Sequence, residues 1–134
     1  MRQLVLISGR KCTGKSGLGK GLKDEFGYHL VRTSEILRHK ARELRRKADR
    51  LSLQQLGDEL DRATGHSWVV EEVQKQIASI PPSVPVVVDN IRNSEQLEQF
   101  RRSHDWAVVH AHLYAPRKVL ACRYDQHEPR SPDE

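Results

Sequence analysis

Apolar residues fall into two patterns along the chain. Continuous runs mark strands buried on both faces: Gln3-Leu4-Val5-Leu6-Ile7-Ser8, Val84-Pro85-Val86-Val87-Val88-Asp89, and Trp106 through Leu113. Tyr28–Arg32 reads as a shorter strand. Between these runs, apolar positions recur at helical spacing. Ser16–Phe26 predicts a helix that stops at Gly27. Ile36, Leu37, Ala41 and Leu44 line a second helix, with Thr33 and Ser34 as candidate N-caps. Ser52-Leu53-Gln54-Gln55 has capping-box form and opens a third, with Leu53, Leu56, Leu60 and Ala63 inward and Gly65 at its end. Ser67 caps a fourth from Trp68 to about Ile80, with Val69, Val70, Val73 and Ile77 apolar, stopped by Pro81-Pro82. Ser94 begins a fifth with Leu97 and Phe100 inward, and Pro116 fits the first turn of a last helix to about Tyr124.

Strands alternating with helices imply an α/β fold with a parallel sheet. Three helices between the second and third strands exceed a plain crossover and predict an inserted helical lobe, about residues 34–80. Ligands of such sheets bind at the carboxyl ends of the strands. The segment after the first strand, Thr33, Asp89 and the segment after Leu113 all fall on that edge.

The segment after the first strand is Gly9-Arg10-Lys11-Cys12-Thr13-Gly14-Lys15-Ser16, a complete G-x-x-x-x-G-K-[ST] loop between a strand and a helix. Successive backbone N–H groups in such a loop converge on an anion, and the helix N-terminus adds its positive end. Gly9 and Gly14 permit the tight turn. Lys15 is expected to reach the β- and γ-phosphates of a nucleoside triphosphate, and the Ser16 hydroxyl to ligate Mg²⁺.

Asp89 ends a buried strand, where an acid can hold the same Mg²⁺ directly or through water. Arg92, three residues on, is placed to grip an acceptor phosphate bidentately. Arg117, Arg123 and Arg130 follow the last strand and form a candidate lid that stabilises transition-state charge, in a segment of about 116–134. His110 and His112 alternate on one strand face. Without an obvious third ligand they read as hydrogen-bonded strand residues rather than a zinc site.

Composition narrows the classes. A chain of 134 residues suits one domain. No apolar run approaches the roughly 20 residues of a membrane span. Two cysteines, Cys12 and Cys122, supply neither a disulfide framework nor zinc spacing, which makes the cytoplasm the expected compartment. Net charge of +5 favours an anionic partner. The basic face of Arg38, Lys40, Arg42, Arg45, Arg46 and Lys47, with Arg50 beyond, reads mainly as a solvated helix surface. Aromatics at 5% argue against a base-stacking platform for nucleic acid.

Together the loop, Thr33-Ser34-Glu35-Ile36-Leu37-Arg38, the helical insertion, Asp89-Asn90-Ile91-Arg92 and the late arginines resemble the nucleoside monophosphate kinase group of P-loop proteins. Thr33–Arg38 looks like the segment that opens the monophosphate lobe of adenylate kinases. Arg50–Arg62 with Trp68-Val69 is similar to phage-type deoxynucleoside monophosphate kinases, and Asp89–Arg92 with Glu95 resembles both those enzymes and dephospho-coenzyme A kinase-like proteins. The resemblance implies a three-layer P-loop fold and an ATP- and Mg²⁺-dependent phosphotransferase. Its acceptor is a nucleoside or deoxynucleoside monophosphate or a similar phosphorylated small molecule. Thr33, Ser34, Arg38 and Arg92 would contact that acceptor, and catalysis would rest on Lys15, Asp89, Arg92 and Arg123. In the family a further strand and helix follow the lid. This sequence stops at Glu134, and the resemblance implies an expectation that the last strand comes from a partner, or from a downstream domain of a longer protein. The alternative reading is a regulatory nucleotide-binding module of a larger assembly with little turnover.

Overall fold

In a computed structural model, which describes residues 1–10, 13–103, 106–119 and 121, the apolar runs become β1 (Arg2–Gly9), β2 (His29–Arg32), β3 (Val86–Asp89) and β4 (Trp106–Leu113). They form one sheet in the order β2-β3-β1-β4, with every pairing parallel. Leu4, Leu6, Ile7, Val86, Val87 and Val88 are fully buried, as a sheet covered on both faces requires. Helix α1 (Lys15–Phe26) covers one face: Val5, Ile7 and Val87 pack with Leu18 and Leu22. Helices α2 (Thr33–Glu43), α3 (Arg50–Thr64), α4 (Trp68–Ile77) and α5 (Ser94–Arg102) cover the other, where Leu4, Leu6 and Val88 meet Ile36, Leu56, Val73 and Phe100. Each fully buried Leu, Val or Ile contributes about 1.5–3 kcal/mol. Phe100 and Trp106, with centroids 5.5 Å apart, add about 1 kcal/mol through ring geometry. The result is the three-layer α/β architecture with α2, α3 and α4 between β2 and β3. No helix among the described residues is long and apolar enough to cross a membrane.

Helix ends account for most departures from the sequence reading. Helix α3 starts at Arg50, and its N-cap is Asp49, whose carboxylate accepts from the backbone N–H of Ser52 at 2.9 Å. A carboxylate at a helix N-terminus also meets the dipole favourably, so Asp49 displaces Ser52 from the cap. Thr33 and Ser34 lie inside α2, whose N-cap is Arg32. Ser67 stands at the N-cap of α4, but its hydroxyl lies within hydrogen-bond distance of Thr64 O at 2.9 Å and Glu71 Oε1 at 3.1 Å, either of which can take its one proton, and Thr64 Oγ1 accepts the Trp68 N–H. Arg45 takes a left-handed conformation (φ 53°) that closes α2 through Arg46 N–H to Ala41 O. Leu44 is thereby turned outward, 56% exposed. Ala63 is also exposed, and the inner face of α3 is completed by Gly57 and Asp61. The expected end of the last helix at Tyr124 lies outside the described residues.

Candidate functional site

The phosphate loop leaves β1 at Gly9 with φ +144°. A Cβ there would stand 2.6 Å from the Leu113 carbonyl oxygen and 2.9 Å from Thr13 Oγ1, so only glycine lets the chain turn against the end of β4. The turn is closed by Thr13, whose N–H and hydroxyl both donate to Arg10 O, at 3.3 and 2.7 Å. Gly14, at φ +97°, is the N-cap of α1 and supplies no side-chain cap. A helix start of this kind is where backbone N–H groups can meet an anion. Lys15 begins that turn and its ammonium donates to Gly9 O, back across the loop. Ser16 follows with its side chain exposed. Lys11 and Cys12 lie outside the described residues.

Asp89 ends β3, in register with Ile7 of β1 and Arg32 of β2, and is 8% exposed. Gly19 of α1 lies over it: a Cβ on Gly19 would come within 3.8 Å of Asp89 Oδ2. Burial pushes the carboxyl above its ordinary range, and the charges of Lys15 and Arg32 pull it back in part. Among the described residues no group of three or more His, Cys, Asp or Glu side chains is assembled for a metal. Asp89 and the Ser16 hydroxyl are the oxygens that the sequence reading assigns to Mg²⁺, a hard cation that takes few ligands from protein and the rest from phosphate and water. Arg32, which the sequence did not single out, stands beside Asp89 with its Nε buried and without a hydrogen-bond partner among the described residues.

On the lobe side of the loop is a cleft of about 720 Å³. Ser8, Gly9 and Arg10 form one wall with His110 and His112 of β4; Asn90 to Ser94 and the α3 residues Arg50, Gln54 and Asp58 form the other. Arg92 lies in this cleft already engaged. Its Nη2 donates to Asp58 Oδ1 at 2.5 Å and to Gln54 O at 3.3 Å, and its Nη1 is 3.9 Å from Asp61 Oδ2. Asp61, 4% exposed, accepts in turn from Trp68 Nε1, Gln96 Nε2 and Asn93 Nδ2 at 2.7, 2.8 and 3.0 Å. The lobe is thus tied to the β3–α5 segment by a buried carboxylate. Across the cleft, Ser8 Oγ bridges His110 Nε2 at 2.7 Å and His112 Nδ1 at 2.8 Å.

The other candidate residues are placed differently. Thr33 is buried, and its hydroxyl donates to Asn90 O at 2.8 Å and accepts from Asn90 N at 3.2 Å, tying α2 to the end of β3. Ser34 is exposed and Arg38 half-buried, and neither lines the cleft. On the basic face, Lys40 pairs with Glu72 at 3.0 Å and Arg46 with Glu59 at 2.6 Å. Arg117 is exposed and helical, just after Pro116. Arg123 and Arg130 lie outside the described residues. Sequence reasoning missed Ser8, Asp58 and Asp61. The i, i+3 acids on α3 were visible, but their partner Arg92 is 34 residues from Asp58.

No family profile matches the sequence, and no curated protein is significantly similar to it. Among solved structures, the fold is similar to that of a "putative kinase" from Chloroflexus aurantiacus J-10-fl, at 16% identity over 99% of this chain and 69% of that chain, with a TM-score of 0.69. A gluconokinase from Sinorhizobium meliloti 1021 aligns at 17% identity over 96% of this chain and 65% of that one, with a TM-score of 0.49. The parallel sheet in the order 2-3-1-4 with its helical layers matches P-loop kinase structures.

Proposed function

We propose that the chain is an ATP-dependent phosphotransferase that acts on a nucleoside or deoxynucleoside monophosphate or a similar phosphorylated small molecule. One observation carries this reading. The phosphate loop, Lys15 and the buried Asp89 share the carboxyl edge of the sheet with a cleft large enough for a small acceptor. The backbone of Gly9–Ser16 would hold the β- and γ-phosphates, with Lys15 exchanging the Gly9 carbonyl for phosphate oxygen. Ser16 and Asp89 would hold Mg²⁺, which, when bound, neutralises charge that develops between donor and leaving group. Arg10, Arg50 and Arg92 supply the cationic side of the acceptor cleft, and Arg117 with Arg123 and Arg130 remains the lid assignment. Phosphoryl transfer asks mainly for positioning and charge neutralisation, and these residues are suited to both. We assign the reaction to the cytoplasm on the cysteine content.

The rival reading, a nucleotide-binding module with little turnover, draws on Arg92, whose charge is already met by Asp58. Calorimetric titration with Mg·ATP, followed by coupled ADP release across a panel of monophosphates and phosphorylated alcohols, separates the two. Acceptor-dependent ADP release supports the phosphotransferase. ATP binding with no acceptor-dependent turnover overturns it in favour of the module.

A further inference from the structure

The parallel register of β1 and β4 brings Ser8 opposite His112, with His110 one pleat earlier on the same face. Ser8 Oγ touches both rings, at 2.7 and 2.8 Å. A hydroxyl carries one proton. It can donate to one ring nitrogen only, so the other ring must present an N–H to it. The arrangement therefore contains one imidazole nitrogen with a lone pair, aimed at Ser8. His110 is the ring suited to that part: burial lowers its proton affinity most, and the neighbouring His112 and Arg101 lower it further. The chain of bonds then runs from His112 Nδ1–H to Ser8 Oγ, and from Ser8 Oγ–H to His110 Nε2. Ser8 keeps a second lone pair.

These three residues line the cleft directly beside Gly9 of the phosphate loop. Asp58, the carboxylate in the same lining, is engaged by Arg92 at 2.5 Å. A monophosphate acceptor attacks through an oxygen that is already anionic at neutral pH and has no proton to give up. A proton-accepting pair is useful only if the attacking atom is a hydroxyl oxygen. Arg10 and Arg50 in the same cleft meet an anionic group elsewhere on that molecule.

Resting on the phosphotransferase reading but replacing its monophosphate oxygen as the attacking atom, we infer that the acceptor is an alcohol borne by an anionic small molecule, and that Ser8 and His110 remove its proton. The acceptor O–H donates to the second lone pair of Ser8 Oγ, and the Ser8 proton passes to His110 Nε2. The acceptor oxygen forms its bond to the γ-phosphorus as the bond from that phosphorus to the β–γ bridging oxygen breaks. The electron pair leaves on ADP, and the imidazolium returns its proton to water. The groups facing His110 are His112 and Ser8 on the sheet, Arg101 on α5, and, around the cleft, Arg10, Arg50, Asp58 and Arg92. Burial first, then His112 and Arg101, oppose a charged His110, so the acid limb of turnover should lie lower in pH than an ordinary histidine would set it.

The test uses the whole chain with Mg·ATP and two sets of probes: glycerol 3-phosphate and D-gluconate as anionic alcohols, and AMP and dTMP as phosphate acceptors. Phosphorus NMR of the products distinguishes a new phosphate ester from a new phosphoanhydride. Ester formation is expected, with Ser8→Ala and His110→Gln each losing roughly 10²–10⁴-fold in rate at neutral pH while ATP affinity stays put. His110→Gln should also abolish the acid limb of the pH–rate profile. Nitrogen-15 NMR of the ligand-free chain should show His112 as the Nδ1–H tautomer and His110 neutral at pH 7. Anhydride formation overturns the alcohol assignment and leaves the kinase reading standing. No transfer to any probe, with ATP bound, overturns both. A His110 protonated at pH 7 overturns the proton-transfer assignment whatever the product.

Discussion

The Arg92 guanidinium fills the space that a side chain at Gly57 would need. A Cβ added to Gly57 would collide with Nη1, and that nitrogen is buried against α3 without a hydrogen-bond partner among the described residues. The glycine lets the arginine cross the helix and reach Asp58.

Gly57→Ala should therefore expel Arg92 from its slot. The helix gains about 1 kcal/mol from alanine, but the expelled arginine loses a charge-assisted bond worth about 1.5–3 kcal/mol, discounted because Asp58 is half-exposed. Net destabilisation of about 1 kcal/mol is expected in urea unfolding. In an Arg92→Ala background the sign should reverse, because the slot is empty and only the helix gain remains. An unchanged sign would show that Gly57 serves no seat for Arg92.

Asp61 should be the costliest polar residue of the lobe. Asp61→Ala leaves the Trp68, Gln96 and Asn93 donors without their acceptor in a buried position. A loss of about 3–5 kcal/mol is expected, comparable to breaking a buried polar network. Asp61→Asn keeps one oxygen for Trp68 and Gln96 but turns an amide N–H₂ toward Asn93 Nδ2, so an intermediate loss follows. Urea unfolding followed by tryptophan fluorescence measures both. Equal losses for the two variants would mean that the hydrogen bonds contribute little beyond packing.

The strands and the phosphate loop were legible because their signals are local. The bounds of β4 coincide with the apolar run Trp106–Leu113, and Gly27 and Gly65 end their helices in left-handed conformations as expected. The inward side of α2 was misread at Leu44, because a left-handed arginine is rare enough that nothing in the pattern announces it. Capping was misread wherever several hydroxyl or acid residues compete within a few positions, as Asp49 and Ser52 do. Candidate site residues can be read from sequence only where one segment holds all their parts. Lys15, Ser16 and Asp89 are proposed from a motif and a strand end. Ser8 with His110, and Arg92 with Asp58, depend on strand register and on how the lobe docks, which are properties of the folded chain.

Thr33 offers a test of role. The resemblance to kinases assigns it to the acceptor, whereas its hydroxyl is used twice on Asn90. Thr33→Val keeps the shape and leaves the Asn90 N–H and C=O unpaired, at an expected cost of about 1–3 kcal/mol. Thr33→Ser should restore most of that stability. Acceptor binding that falls in both variants alike, with stability restored in the serine variant, would return Thr33 to the substrate site.

Asp89 links stability to the proposed chemistry, and its sign is opposite to that of most surface acids. Its carboxyl is held above the ordinary value of 3.8 chiefly by burial, with Lys15 and Arg32 opposing the shift. The folded chain then binds this proton more tightly than the unfolded chain does. Its favourable contribution is complete below the unfolded value, and it is lost as pH rises through the folded one. At neutral pH the ionised carboxylate is a cost that the fold carries. Asp89→Asn removes the charge and conserves the shape. It should raise the unfolding midpoint at pH 7, and the gain should shrink as pH approaches 3.8 from above. The same substitution should abolish Mg²⁺-dependent turnover and leave metal-free nucleotide binding in place, because the phosphate loop is untouched. Thermal unfolding across pH, run beside Mg²⁺ titration of activity, reads both effects. A variant less stable at pH 7 than at pH 4, relative to the parent, would mean that Lys15 and Arg32 outweigh burial. A variant with unchanged Mg²⁺ dependence would reduce Asp89 to the end of a strand. A more stable but inactive variant identifies a carboxylate kept at the cost of stability for the metal it holds.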